Sequence, residues 1–81
     1  MSYSSAAIGR RVRSQMTLCG FNQQQLAQKL GVSQASVSRK LNGRTEFSAS
    51  ELAVIANWLD VSVSDLFEPL PEQRVLVEAV A

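Results

Sequence analysis

Residues 21–44 read FNQQQLAQKLGVSQASVSRKLNGR, two short helical segments meeting at Gly31. The first has an ordinary apolar face built from Leu26 and Leu30. The second is odd, because between Val32 and Leu41 the only large apolar residue is Val37. At about 100° per residue, Gln34, Ala35, Ser38, Arg39 and Asn42 share one arc, turned away from Val37 and Leu41. Only Gly31, Val32 and Ser33 separate the two helices, so they must cross steeply, the helix-turn-helix arrangement. Ala27 is small where the second helix would lie across the first.

The same start signal recurs along the chain. FNQQQL (21–26), VSQASV (32–37), FSASEL (47–52) and VSVSDL (61–66) each read apolar, Asn or Ser, two variable residues, polar, then Leu or Val. Asn or Ser accepts a free backbone N–H at the helix N-terminus, and the polar residue three positions on reaches back to the cap. The flanking apolar pair staples the entering chain to the first turn. Gln25 and Glu51 make good capping boxes, Asp65 a plausible one and Ser36 a weak one. Gly20, Gly31 and Gly43 follow helical segments as stops. The spacing predicts helices over 5–19, 23–30, 34–42, 49–59 and 63–67, and no segment alternates like a strand. The fold class is all-α, five helices around one core. Ile8, Val12, Met16 and Cys19 fall on one face of helix 1, Leu26 and Leu30 serve helix 2, Val32 and Val37 point inward, and Leu52, Ile55, Ala56 and Leu59 serve helix 4.

Eighty-one residues make one domain close to the lower size limit for an unaided core. The expected organisation is a helix-turn-helix domain over 1–68 and a short tail over 69–81, beginning at Pro69. Tail residues 71–81, PEQRVLVEAVA, are a candidate dimerisation or partner-docking segment. The longest wholly apolar run, Leu52–Ala56, is far short of a membrane span. The single cysteine excludes an internal disulfide, and a cytoplasmic location is expected. With no histidine, the usual acid–base, triad and metal schemes lack their central residue, so neither enzyme chemistry nor a cofactor or metal is expected. Cys19, on the apolar face of helix 1, reads as core rather than as a reactive thiol.

Net charge is only +1, but its distribution is lopsided. Before Glu46 the chain has seven cations (Arg10, Arg11, Arg13, Lys29, Arg39, Lys40, Arg44) and no acid; from Glu46 onward it has seven acids and only Arg74. A cationic half of that length points to a polyanionic partner. Each outward residue of 34–39 has a use on a duplex. Gln34 can pair bidentately with adenine, Arg39 with guanine, Ala35 can meet a thymine methyl, and Ser38 can bond a base or a phosphate.

These features, over about residues 8–67, resemble the helix-turn-helix of phage repressor and Cro proteins, the XRE-type family. The phrases carrying the resemblance are FNQQQLAQKLGVSQASVSRKLNGR and LAVIANWLDVSVSDL. It implies a compact lambda-repressor-like DNA-binding domain whose third helix enters the major groove with Gln34, Ala35, Ser38 and Arg39 toward the bases. It further implies phosphate contacts from Gln23 at the start of helix 2, with Asn22 and Ser33 beside the helix termini, and from Asn42, Arg44 and Thr45 in the following loop. Arg10 and Arg13 on helix 1 are further candidates. Lys40 departs from the family, which favours an apolar residue there. Its stem can cover the core while its head reaches a phosphate, or helix 3 can turn so that Leu41 takes the core position.

The function implied is a transcription regulator of bacterial or phage type acting at the nucleoid. It is expected to be a repressor that binds a near-palindromic operator as a homodimer, with Phe47, Trp58 and the tail competing for the dimer surface. An alternative of another class is an antitoxin-type protein that docks a partner through the tail and autoregulates through the same domain.

Overall fold

The computed structural model describes residues 4–67. Four α-helices follow one another, α1 (Ser5–Cys19), α2 (Gln23–Leu30), α3 (Gln34–Leu41) and α4 (Ala49–Leu59), and a 3-10 helix (Val63–Phe67) closes the described chain. The expected fifth α-helix is therefore a five-residue 3-10 turn. So short a segment gains little from α-helical bonding. Its start is nonetheless capped as read, with Ser62 N–H donating to Asp65 Oδ2 and Asp65 N–H to Ser62 Oγ, at 3.1 and 3.3 Å. Helix α3 ends one residue earlier than expected, because Asn42 is its cap, with Gly43 left-handed beyond it.

The caps explain where the α-helices begin. Asn22 and Gln25 exchange side-chain-to-backbone bonds at 2.8 Å each. Ser48 and Glu51 do the same at 3.1 and 2.8 Å. Ser33 accepts the Ser36 N–H at 3.1 Å, with no return bond. Such caps contribute about 1 kcal/mol each, a large effect in a chain whose helices are too short to stand alone.

Val12, Met16, Leu26, Ala27, Val37, Leu41, Leu52, Ile55, Ala56, Leu59 and Leu66 form one buried cluster drawn from every element. Phe21 and Trp58 stack beside it, ring centroids 4.2 Å apart and nearly parallel. Trp58 and Phe47 are partly buried and pack against this core. Cys19 corrects the reading of helix 1: it is exposed, as is Leu18 beside it. The apolar stripe Ile8–Val12–Met16 runs out at Met16, where the Phe21 N–H returns to the Met16 carbonyl and turns the chain toward α2. The tail, 69–81, lies outside the described residues.

Between α2 and α3 the left-handed Gly31 makes the turn. Its N–H reaches the Gln28 carbonyl, and the Val32 N–H reaches that of Ala27, at 3.3 and 3.1 Å. That paired bonding ends α2 and aims α3 across it, with Ala27 buried below. Helix α1 lies against α3 from the other side. Its Gly9 has no side chain because the Leu41 backbone occupies the space a Cβ would need.

Candidate nucleic-acid interface

Helix α3 is anchored by Val37, fully buried, and Leu41, 2% exposed. They lie one turn apart, so they fix the roll of the helix about its own axis. With them inward, Gln34, Ala35, Arg39 and Asn42 are left exposed at the surface, with Ser38 half-buried beside them. Leu41 lies in the core, and the Lys40 side chain beside it is itself mostly buried, over Phe47.

Helices α2 and α3 carry no acid in their first turns, and α3 carries Arg39 and Lys40 in its last. The partial positive charge at each N-terminus is thus uncancelled by any carboxylate, the condition under which helix ends receive phosphate. Gln23 opens α2 half-buried, while Asn22 and Ser33, just before their helices, are exposed caps. In the loop after α3, Arg44 and Thr45 are exposed, and the Arg44 N–H closes on the Arg39 carbonyl at 2.9 Å. That bond keeps the two arginines on one continuous piece of backbone. On α1, Arg10 is exposed, and Arg13 reaches the end of α3 directly, its Nη2 donating to Asn42 Oδ1 at 3.1 Å. Arg11 faces another way. Its Nε donates to the Asp65 carbonyl at 3.0 Å and ties α1 to the 3-10 helix.

Lys40 is the residue the structure places differently from a free phosphate-binding cation. Its Nζ donates to both carboxylate oxygens of Glu51, at 2.7 and 2.6 Å, and the two side chains are only 15% and 17% exposed. The ammonium also lies 6.0 Å from the Phe47 ring centroid. Glu51 serves twice, since its Oε1 accepts the Ser48 N–H as part of the α4 cap. Burial pushes the Glu51 carboxyl up, but the bonds from Lys40 and Ser48 and the Lys40 charge outweigh it and hold the group below its ordinary value.

Two residues that shape this surface escaped the reading of the sequence. Glu51 has a sufficient local reason in its cap, which hides its second partner. Gly9 left a usable signal, a glycine inside a helical pattern, which costs helix stability and so asks for a packing reason. Among the described residues no group of His, Cys, Asp or Glu could hold a metal ion, and no helix is long and apolar enough to cross a membrane.

A glycine-hinged helix pair, with a polar outer arc on the second helix and cations beside it, defines a helix-turn-helix DNA-binding domain. The chain belongs to the Cro/C1-type HTH DNA-binding domain family, which matches residues 11–72. It is 33% identical over 64 residues to an uncharacterized HTH-type transcriptional regulator of Sinorhizobium medicae, covering 79% of this chain and 46% of that one. A transcriptional regulator from the ATPase CF(0) region of Rhodospirillum rubrum, also uncharacterized, is 37% identical over 65 residues, covering 80% and 60%. The chain thus spans about half the length of the curated relatives it matches.

Solved structures agree. The restriction-modification controller protein C.AhdI of Aeromonas hydrophila superposes with a TM-score of 0.71 at 27% identity, over 78% of this chain and 96% of that one. The clp gene regulator ClgR of C. glutamicum gives 0.70 at 32% identity, over 76% and 80%. All are regulators, and none of these names indicates catalysis.

Proposed function

We propose that this protein is a sequence-specific DNA-binding transcription regulator, acting as a repressor on a near-palindromic operator that it binds as a homodimer. The observation that carries the reading is the outer arc of α3, where Gln34, Ala35 and Arg39 lie over a buried Val37–Leu41 anchor. An arc of short polar, small and cationic side chains fits a major groove about 12 Å wide and offers bidentate partners for adenine and guanine. Arg39 and Gln34 read bases, Ala35 meets a thymine methyl, and Ser38 reaches a base or phosphate at the edge of the arc. Asn42, Arg44 and Thr45 hold the backbone beyond α3, Asn22, Gln23 and Ser33 hold it at the helix N-termini, and Arg10 and Arg13 hold it along α1. Repression by occluding a promoter needs nothing beyond this domain.

The test is selection of preferred duplexes from a random pool with the wild-type chain, followed by footprinting. The expected product is a two-fold symmetric site whose half-sites lie one helical turn, about 34 Å, apart. A single unrepeated half-site would remove the homodimer, and no enrichment at all would remove sequence-specific binding. The antitoxin alternative rests on the tail, outside the described residues, and no relative named above points to it.

A further inference from the structure

We infer that Lys40 and Glu51 form a positioning clamp for the DNA-reading helix, and that Lys40 gives its charge to this clamp rather than to a phosphate. The inference rests on the DNA-reading function proposed above. Helices α3 and α4 meet through side chains that share one core, Val37 and Leu41 on α3 and Leu52 and Ile55 on α4. Lys40 and Glu51 add a charged bond to that contact. The Lys40 ammonium holds both Glu51 oxygens at 2.6–2.7 Å, and one of those oxygens is fixed by the Ser48 N–H at 2.8 Å. The carboxylate therefore cannot swing with the lysine. It is pinned to the first turn of α4, and the lysine is pinned to it.

From the other side, α1 holds the same turn of α3. Arg13 donates to Asn42, and the Leu41 backbone sits against Gly9. The last turn of α3, which carries Arg39, is thus gripped from two directions. Buried Val37 and Leu41 set the roll coarsely, since an apolar contact has no direction. A two-point charged bond is directional and sets it finely. Arg39 is the immediate neighbour of Lys40, so any turn of α3 that loosens the clamp also moves the guanidinium relative to the groove. In this reading Lys40 and Glu51 are positioning residues and touch no DNA.

The experiment compares Lys40→Met, which keeps the stem over Phe47 but not the charge, with Glu51→Gln, which keeps a capping side chain. Lys40→Arg, which restores a cation, and Arg44→Ala, which removes an outer cation, serve as references. Each is titrated, below its melting transition, against the selected duplex and a scrambled duplex over a range of salt. Lys40→Met is expected to leave the salt slope on the scrambled duplex unchanged, whereas Arg44→Ala lowers it by about 0.9. Both Lys40→Met and Glu51→Gln lose on the order of fivefold in the ratio of selected to scrambled affinity, the double variant loses no more than either, and Lys40→Arg recovers most of it.

A Lys40→Met slope that falls like that of Arg44→Ala makes Lys40 a phosphate contact and overturns the inference. So does an intact ratio in both single variants, even where their melting temperatures drop. A wild type that prefers no duplex overturns the DNA-reading function and this inference with it, an outcome separate from the other two.

Discussion

Gly9→Ala isolates the contact that sets α3 against α1. An ideal Cβ on Gly9 would stand 2.8 Å from the carbonyl carbon and 3.1 Å from the Cα of Leu41, and closer still to the carbonyl oxygen. Non-bonded carbons rest about 3.5–4.0 Å apart, so the two helices must part by roughly 1 Å. No rotamer change relieves this, because the obstacle is backbone, so the overpacking cost belongs at the upper end of its range, about 3 kcal/mol. Alanine in place of a mid-helix glycine returns about 1 kcal/mol. The net expectation is a loss of about 2 kcal/mol. In a domain of this size that lowers the melting temperature by about 8–16 °C, measured by circular dichroism. Because α3 carries the reading arc, affinity for the selected duplex should fall even where the variant is fully folded. A melting temperature equal to or above that of the wild type would refute the reasoning, since it would mean that helix propensity alone governs Gly9 and that the close approach does not exist.

Three further outcomes are expected. Arg39→Ala should lose about 1–3 kcal/mol on the selected duplex and relax preference at one base pair, so an unchanged footprint would remove Arg39 as a reader. Asp60 caps α4 in the left-handed region at φ 59°, ψ 45°, with its carboxylate beside the negative end of the helix dipole. Asp60→Gly should therefore raise stability by about 1 kcal/mol, and a lower melting temperature would contradict it. Glu51 ionises more readily folded than unfolded, so its stabilisation is present above the unfolded value, about pH 4.5, and is lost as pH falls through the lower folded one. Glu51→Gln should be less stable than the wild type at pH 7 and converge toward it as pH falls through the lowered folded value, and a gap that stays constant with pH would count against the ion pair.

Most of what depends on a few neighbouring residues was legible in the sequence, the 3-10 form of 63–67 and the exact end of α3 excepted. Caps, glycine stops and the α2–α3 turn are local devices, and their bonds join residues at most five apart in the chain. The buried faces follow from the same logic, because Val12–Met16, Val37–Leu41 and Leu52–Ile55–Ala56–Leu59 repeat at the helical period. That period also set the polar arc of α3, and with it the family resemblance and the candidate readers, without any tertiary contact.

Tertiary structure decided what periodicity cannot: where a stripe stops meeting a partner, and which charge finds which. Cys19 continues the period of α1, yet the chain turns away beyond Met16 and leaves it in solvent. Lys40 and Glu51 lie eleven residues apart on different helices, and only the placing of those helices brings a spare cation onto a capping carboxylate. Gly9 and Leu41, on α1 and α3, meet for the same reason. Local sequence encodes the hydrogen bonds and faces a helix presents, whereas the opposing surface, which turns an outward lysine into a clamp and a weak glycine into a required gap, exists only once the helices are packed.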